Sequence, residues 1–253
     1  MVEKIVGGVV VALLTAVGRI LWQNRRHLTL LRVLLTPTRR IRVSVAVLLR
    51  VNDEDHYVLF SSVTRPGAFG PPGGVVKYHE AAKPRLERFG FEPEGRARAE
   101  MRHDLRGFLP ALRVLGFARW LQRGTDREAA TECLRRELVE ELGEVGHEEL
   151  APLAREAGFR PVGRHIDGPL KVPGETYRQI RFFEVYDLVP DKPEATELRS
   201  AVLNLAADAD EPLVIGVTRR DITRGRSQAH VVLPQSAFLA GDRRVREDIA
   251  PVS

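Results

Sequence analysis

Apolar residues run almost without interruption from position 5 to position 22 of the chain. Residues 5–18 carry no charge, Arg19 interrupts the run, and Ile20, Leu21 and Trp22 continue it. This length is near the lower limit for a helix that crosses a bilayer. An arginine near the end of such a helix can extend to the interface, and tryptophan is favoured there. We therefore expect an N-terminal membrane helix, with a core or amphipathic helix of a soluble domain as the alternative.

Arginines dominate the stretch that follows the apolar run. They are Arg25, Arg26, Arg32, Arg39, Arg40 and Arg42. A basic flank of this kind favours a cytoplasmic position for the chain after the membrane helix. No A-x-A-like cleavage site follows the run, which argues against a signal peptide. Residues 28–35 predict a juxtamembrane helix, or part of a second membrane segment, so we assign residues 1–37 to the membrane and 38–253 to a folded domain.

The folded domain mixes alternating and helical patterns. Residues 42–49 alternate, with the valines from Val43 to Val47 on one side, and residues 57–63 and 177–189 are also rich in β-branched and aromatic side chains,. Residues 147–157 predict a short helix, whereas residues 198–205 fit a strand or a helix. The pattern predicts an α+β fold.

The clearest helical pattern covers residues 128–143. Leu134, Leu138 and Leu142 recur every four residues and form one apolar stripe,. Thr125 or Asp126 is suited to cap the start of the helix, and Gly143 is suited to end it.

Three glutamates of this helix share another face. Glu137, Glu140 and Glu141 are related by three and four positions, so we expect their carboxylates to converge. Their mutual repulsion suggests a divalent cation, for which Mg²⁺ is the first choice and Mn²⁺ the second. The alternative is a solvated, charged helix face with only a structural role.

The helix resembles the Nudix box, G-x(5)-E-x(7)-R-E-U-x-E-E-x-G-U, in which U is apolar. Glu128 precedes Arg136 by eight positions, and residues 136–143 fit every fixed position. Gln122 stands where the first glycine is expected, and Glu144 stands at the last apolar position. Gly74, in the segment Pro71-Pro72-Gly73-Gly74, is the natural first glycine, so the box is split by an insertion of about 48 residues.

The insertion, about residues 75–124, is rich in arginine. Its members are Arg85, Arg88, Arg96, Arg98, Arg102, Arg106, Arg113, Arg119 and Arg123. We predict a loop at 92–95 and a helix over 97–121 that is interrupted near Pro110. The insertion is interpreted either as a cationic lid over a polyanionic ligand or as a solvated helical appendage. Residues without metal-ligand spacing are expected at the surface: His79, Glu80, His103 and Asp104.

The Nudix resemblance implies an α/β/α sandwich with a mixed sheet. It implies that Glu137, Glu140 and Glu141 bind the metal, with Glu140 and Glu141 as the catalytic residues if the domain is an enzyme. The resemblance also implies that Glu128 and Arg136 orient the carboxylates. It implies that Gly73 and Gly74 approach the phosphates. The candidates for an additional base are Glu175, Glu184 and Glu197.

The combination of an apolar N-terminal run, a split box and a basic insertion is similar to the membrane-linked Nudix proteins of bacterial cyclic-oligonucleotide antiphage systems (CBASS). This similarity implies a homo-oligomeric inner-membrane effector with a cytoplasmic domain. The domain would bind a cyclic nucleotide made by a partner nucleotidyltransferase and then disrupt the membrane, without specific binding to DNA or RNA. A membrane-tethered, Mg²⁺-dependent hydrolase of nucleoside diphosphate derivatives and a structural membrane adaptor are the alternatives.

Composition adds two constraints. The formal charge of +5 over 253 residues suits an anionic ligand or membrane surface without requiring either,. Cys133 is the single cysteine, so intramolecular disulfides and CxxC metal sites are excluded,. Its position within the predicted box helix favours a buried packing role.

Overall fold

The computed structural model describes residue 30 and residues 40–94 and 103–241. Within these ranges, no helix combines the length and apolar character that a bilayer span requires. The membrane helix predicted at residues 5–22 lies outside them. Leu30, from the predicted juxtamembrane stretch, is fully buried in the main hydrophobic core of the domain. This residue therefore packs against the folded domain.

Strands and helices alternate along the described part of the chain, as the α+β prediction requires. The strands are β1 (Arg40–Arg50), β2 (Asn52–Asp53), β3 (His56–Ser61), β4 (Ala68–Gly70), β5 (Glu92–Pro93), β6 (Arg106–Pro110), β7 (Phe159–Lys171), β8 (Arg178–Leu188), β9 (Val214–Thr218), β10 (Arg226–Ser227) and β11 (His230–Val232). The α-helices are α1 (Lys83–Phe89), α2 (Val114–Arg123), α3 (Ala130–Glu144), α4 (Ala151–Glu156), α5 (Pro193–Ala207), α6 (Arg219–Arg224) and α7 (Ala237–Ala240).

Two mixed sheets organise the domain. The five-stranded sheet has the order β5-β6-β1-β8-β7, in which β1 and β8 are parallel and the other neighbours are antiparallel. The second sheet has the order β10-β11-β4-β3-β2, and β9 pairs with β3. After β4 the chain returns to β1, where Val47 N donates to Gly74 O at 2.9 Å and Val76 N donates to Val45 O at 3.0 Å. The two glycines of the box therefore lie against the central strand.

Strand β1 separates two hydrophobic clusters. Val43, Val45 and Val47 face the larger cluster, which includes residues of α2, α3 and α5. Leu48 belongs to the smaller cluster, which includes Phe183 of β8 and residues of the second sheet and α7. Both faces of the sheet are therefore covered around the carboxyl-terminal half of β1.

The insertion differs from its predicted conformation. Among the described residues of the predicted helix, which are 103–121, residues 106–110 form strand β6 and residues 114–121 lie in helix α2. Leu105 and Leu109 are fully buried in the larger cluster, while Leu112 is 80% exposed. The spacing of these leucines fitted a helix, but pairing with β1 fixes residues 106–110 as a strand, because this strand completes the hydrogen bonds along the edge of β1,. Strands β5 and β6 of the insertion are therefore an integral part of the five-stranded sheet.

Other boundaries shift by smaller amounts. Helix α3 begins at Ala130, with Ala129 as its N-cap residue, and it continues through Gly143 to Glu144. The predictions that Thr125 or Asp126 caps this helix and that Gly143 ends it were wrong. The pairing of β7 with β8 has a register shift between Asp167 and Leu170, and the ambiguous residues 198–205 are helical in α5.

Candidate metal and phosphate site

Helix α3 is fixed by its apolar stripe. Leu134, Leu138 and Leu142 are at most 2% exposed and belong to the larger cluster. At the start of the helix, Ala129 N donates to the Glu132 carboxylate at 3.1 Å, which satisfies one of the free backbone donors there,. The stripe orients the opposite face of α3, with its glutamates, toward the segment that contains the two glycines.

Glu128 and Arg136 form a two-point ion pair. Arg136 donates through Nε and Nη2 to the two carboxylate oxygens of Glu128, both at 3.0 Å. Arg136 Nη2 also donates to Val75 O at 3.2 Å, and Lys77 N donates to Glu128 at 3.1 Å. Burial raises the pKa of Glu128, but Arg136 and the Lys77 N–H together hold that pKa below its ordinary value. The pair therefore attaches the box helix to the segment after the glycines.

Glu137 lies directly over Gly74. Its carboxylate accepts from Arg136 Nη1 at 2.5 Å, and a Cβ atom on Gly74 would come within 3.0 Å of it. Burial raises the pKa of Glu137, Arg136 opposes the shift, and Glu140 adds to it. A glycine is required at position 74 because the carboxylate occupies the space of a side chain.

Glu141 is held by the other glycine. Gly73 N donates to Glu141 Oε2 at 2.8 Å. Burial raises the pKa of Glu141 well above its ordinary value, against the effect of this hydrogen bond, and the charge of Glu137 adds to the increase. The Gly73 amide, which the resemblance implied for phosphate binding, is therefore engaged by a glutamate of the box. Gly73 and Gly74 position two of the three carboxylates.

Glu140 is the most accessible of the three glutamates. Its side chain is 56% exposed, and its closest cation is Arg136 at 3.7 Å. It lines an open cavity of about 330 Å³ together with Arg135, Arg136 and Arg155. This exposure leaves the Glu140 carboxylate available to a ligand.

The three carboxylates lie close enough for the charges of Glu137 and Glu140 to raise the pKa of Glu141, but each of the three makes different contacts. Across residues 40–94 and 103–241, no three acidic, histidine or cysteine side chains are placed to hold a metal ion together. The donor types nevertheless suit Mg²⁺, because carboxylate oxygens are its preferred protein ligands. Burial and mutual repulsion raise the pKa of both Glu137 and Glu141, and a divalent cation would relieve both effects,. The assignment of Glu137, Glu140 and Glu141 as metal ligands stays a prediction.

The structure distinguishes the three downstream glutamates. Glu175 and Glu197 are exposed. Glu184 is half-buried in β8, where it accepts from Arg127 Nη2 at 3.1 Å and from the Tyr186 hydroxyl at 3.0 Å. Burial and the Glu184 charge raise the pKa of Tyr186 to about 12, so its hydroxyl stays a donor. Glu184 is thereby committed to a network that attaches the start of the box to the sheet.

Two residues of the insertion were missed as candidates for the site. Asp104 is half-buried rather than exposed, and burial raises its pKa. Arg106, two residues later, is also half-buried. Arg136 is one of the charged neighbours of Asp104, and Glu137 is one of the charged neighbours of Arg106. Residues 105, 107 and 109 are buried while residues 106 and 108 are half-buried, but the apolar Phe108 masks this alternation in the sequence.

This arrangement of a glutamate-rich helix, an orienting arginine and two glycines against the central strand of a mixed sheet defines a Nudix domain. Residues 40–240 match the profile of the SMODS-associated NUDIX domain. The chain belongs to this family, and it is therefore a Nudix superfamily member associated with CBASS-type systems. A comparison with curated protein sequences gives no significant match.

Proposed function

We propose that this protein is a membrane-anchored effector of a CBASS-type antiphage system. Its Nudix domain binds a cyclic nucleotide from a partner nucleotidyltransferase. Binding favours assembly into a homo-oligomer, and the N-terminal segment then disrupts the bacterial inner membrane from the cytoplasmic side. The observation that carries this proposal is the match of residues 40–240 to the SMODS-associated NUDIX family.

The box residues support a phosphate-binding role for the domain. Glu137 and Glu141 are held by Arg136 and Gly73, so their positions are set before any ligand arrives,. Glu137, Glu140 and Glu141 would hold Mg²⁺, which would neutralise phosphate charge when bound. The Arg136–Glu128 pair keeps the helix in register with the glycine segment.

The N-terminal sequence supports the membrane role. Residues 5–18 are uncharged, and the basic flank follows directly. These features favour insertion with the folded domain on the cytoplasmic side.

The test of ligand binding is a thermal-shift panel on the full-length protein. Cyclic di- and trinucleotides are compared with linear diphosphates, each with and without Mg²⁺. We expect one cyclic nucleotide to raise the unfolding temperature, because a ligand that binds only the folded state stabilises it. A protein whose unfolding temperature no cyclic nucleotide changes is not the proposed effector.

The test of membrane disruption uses the full-length protein in dye-loaded vesicles of bacterial phospholipids. Dye release is expected only when the stabilising nucleotide is added. Leu13→Asp places a charge within the apolar run, at a cost of about 3 kcal/mol for insertion, and is expected to abolish release. Leu112→Asp, at a position that is 80% exposed, is the matched control. Intact vesicles in the presence of bound nucleotide would refute the membrane role.

A second candidate function is supported by the box geometry itself. A Mg²⁺-dependent hydrolase of nucleoside diphosphate derivatives would use Glu140 or Glu141 as its base, with Arg136 and Glu128 orienting the metal-binding carboxylates. This function predicts turnover of a linear diphosphate, followed by ³¹P NMR, that Glu140→Gln or Glu141→Gln abolishes. If the protein binds a cyclic nucleotide but turns over no member of a broad diphosphate panel, the hydrolase function is refuted and only the effector function remains.

A further inference from the structure

One face of the five-stranded sheet changes from apolar to polar along β1. Leu48 and its neighbour Ala46 contact the smaller hydrophobic cluster on this face. The preceding residues on the same face, Ser44 and Arg42, are polar, because alternate residues of a strand share a face. The second sheet covers the apolar half of this face. The charged side chains of the polar half therefore need acidic side chains, water or a ligand as partners.

The strand register places further cations on this polar half. Arg106 of β6 lies opposite Ser44 on one side, and Arg181 of β8 lies beside Ser44 on the other. The residues that alternate with Arg106 confirm its orientation, since Leu105 and Leu109 are buried in the cluster on the opposite face. The pairing of β1 with both strands thus gathers Arg42, Arg106 and Arg181 on one surface.

Two of these three arginines have acidic partners. Arg42 donates through Nε and Nη2 to Glu94 at 3.0 and 2.6 Å. Arg181 pairs with Asp167 at 3.1 Å. Their charges are balanced within the protein, so neither requires a ligand.

Arg106 differs from both. Its backbone carbonyl accepts from Glu94 N, but its half-buried guanidinium makes no hydrogen bond or ion pair with any residue in the described part of the chain. The charged groups around it are Asp104, Arg42, Glu94 and Glu137. Burial lowers its pKa and Arg42 adds to this effect, while Asp104, Glu94 and Glu137 oppose it without reversing it. A half-buried guanidinium without a protein partner carries a partial desolvation cost, which an anionic ligand would offset.

Backbone hydrogen bonds connect Arg106 to the box. Leu105 N donates to Val76 O at 2.9 Å, and Val45 N donates to Leu105 O at 3.0 Å. Arg106 therefore follows directly on a residue that is bonded to the segment after Gly74. A phosphate group near the box glutamates is within the electrostatic range of Arg106, since Glu137 itself is one of its charged neighbours.

We propose that Arg106 is a binding residue for a phosphate group of the nucleotide ligand, contributed by the insertion that splits the box. The assignment rests on the proposed function for the identity of the ligand as a nucleotide. Arginine suits this role because its planar donors can bind two phosphate oxygens at once. The insertion thus supplies a ligand contact through a strand of the sheet.

The experiment measures thermal stability and binding of the full-length protein in EDTA, with inorganic pyrophosphate and with the nucleotide that stabilises the wild type. Arg106→Gln is expected to weaken the binding of pyrophosphate and of the nucleotide by about tenfold or more. This is the effect expected from the loss of a hydrogen bond to a charged group. Arg106→Lys keeps the charge but loses the two-point contact with phosphate. Its affinity for each ligand should therefore lie between that of the wild type and that of Arg106→Gln. Arg220→Gln, an exposed arginine of α6, removes the same charge and should bind like the wild type.

Stability without ligand separates a binding role from a structural one. Arg106→Gln should unfold at the wild-type temperature or higher, because it removes a half-buried charge without a partner. A decrease of more than about 4 °C, or failure to fold, would make Arg106 structural and overturn the proposal.

The two probes also separate this inference from the proposed function. Equal binding of the cyclic nucleotide by wild type and Arg106→Gln would refute the role of Arg106 and leave the effector function standing. Pyrophosphate binding that depends on Arg106, in a protein that binds no cyclic nucleotide, would support the phosphate site and refute the effector function. A wild type that binds neither probe would refute both.

Discussion

Gly73 and Gly74 allow the sharpest test of how the site is built, because alanine at the two positions meets different obstacles. At Gly73 the new Cβ would come within 3.0 Å of the carbonyl oxygen of Val47. At Gly74 it would come equally close to the end of the Glu137 side chain. The first obstacle is backbone in the central strand, and the second is a carboxylate on rotatable bonds. We therefore expect Gly73→Ala to damage the fold and Gly74→Ala to damage the site.

The cost of Gly73→Ala has two parts. Its φ of +138° is strongly unfavourable for any residue with a side chain, and such strain costs about 1–3 kcal/mol. The clash adds to this, since Val47 is fully buried and paired on both sides within the sheet. A total of at least about 3 kcal/mol corresponds to a decrease in Tm of roughly 6–12 °C for a domain of this size.

The cost of Gly74→Ala falls on Glu137. Rotation of its carboxylate away from the new methyl group breaks the 2.5 Å contact with Arg136. The two side chains are only 23% and 18% exposed, but Arg136 keeps both of its bonds to Glu128. The loss is therefore about 1.5 kcal/mol, which corresponds to a decrease in Tm of roughly 3–6 °C. The displaced carboxylate should weaken Mg²⁺ binding by roughly 10–100-fold, as loss of an orienting contact commonly does.

The assay combines thermal unfolding of each full-length variant with Mg²⁺ titration by calorimetry. Gly124→Ala is the control for strain alone, because Gly124 has a φ of +66° and a Cβ there meets nothing within 4 Å. Its decrease in Tm should lie well below that of Gly73→Ala. A Gly74→Ala variant with unchanged Mg²⁺ affinity, or a Gly73→Ala variant as stable as Gly124→Ala, would refute the reasoning.

Three further predictions concern stability, each measured by denaturant unfolding. Arg127→Met should cost about 3–5 kcal/mol, because it leaves Glu184 without its buried partner,. Leu138→Ala should cost about 2–5 kcal/mol through the cavity beneath the box helix,. His147 pairs with Glu211 at 2.7 Å, and this hydrogen bond raises the pKa of His147, so its stabilisation is complete below pH 6.5 and is lost as pH rises through the higher folded pKa,.

Each of these predictions has a matched control. Leu112→Ala removes an exposed leucine and should cost less than about 0.5 kcal/mol; a similar cost for Leu138→Ala would contradict the cavity argument. Arg123→Met, at an exposed position, should be nearly neutral, unlike Arg127→Met. His147→Asn should flatten the pH dependence of stability above pH 6.5, and an unchanged slope would assign that dependence to another group.

Local patterns were sufficient where a single element carries the signal. The alternation of Val43, Val45 and Val47 predicted a strand with one buried face, and all three face the larger cluster. The leucine stripe predicted which side of the box helix is buried. The ends of that helix were less predictable, because residues 125 and 126 suit a cap by type while the backbone begins the helix only after Ala129.

Contacts between distant residues were beyond such patterns. Glu141 receives the Gly73 N–H across 68 positions of sequence, and nothing in the local composition indicates that bond. The leucines at 105 and 109 fitted a helical spacing as well as a strand. Only the free edge of β1 decided between them, since its backbone groups require partners,.

The sequence by itself determined the chemistry available to this protein: three glutamates at helical spacing, an arginine to orient them, and two glycines that admit close approach. The tertiary structure decided how these groups are used. It placed each glycine against a different carboxylate, committed Glu184 to Arg127, and placed Arg106 opposite Ser44 of β1 through strand β6. Motif spacing is a property of one helix, whereas these contacts depend on sheet register, which is set by burial along the whole of β1.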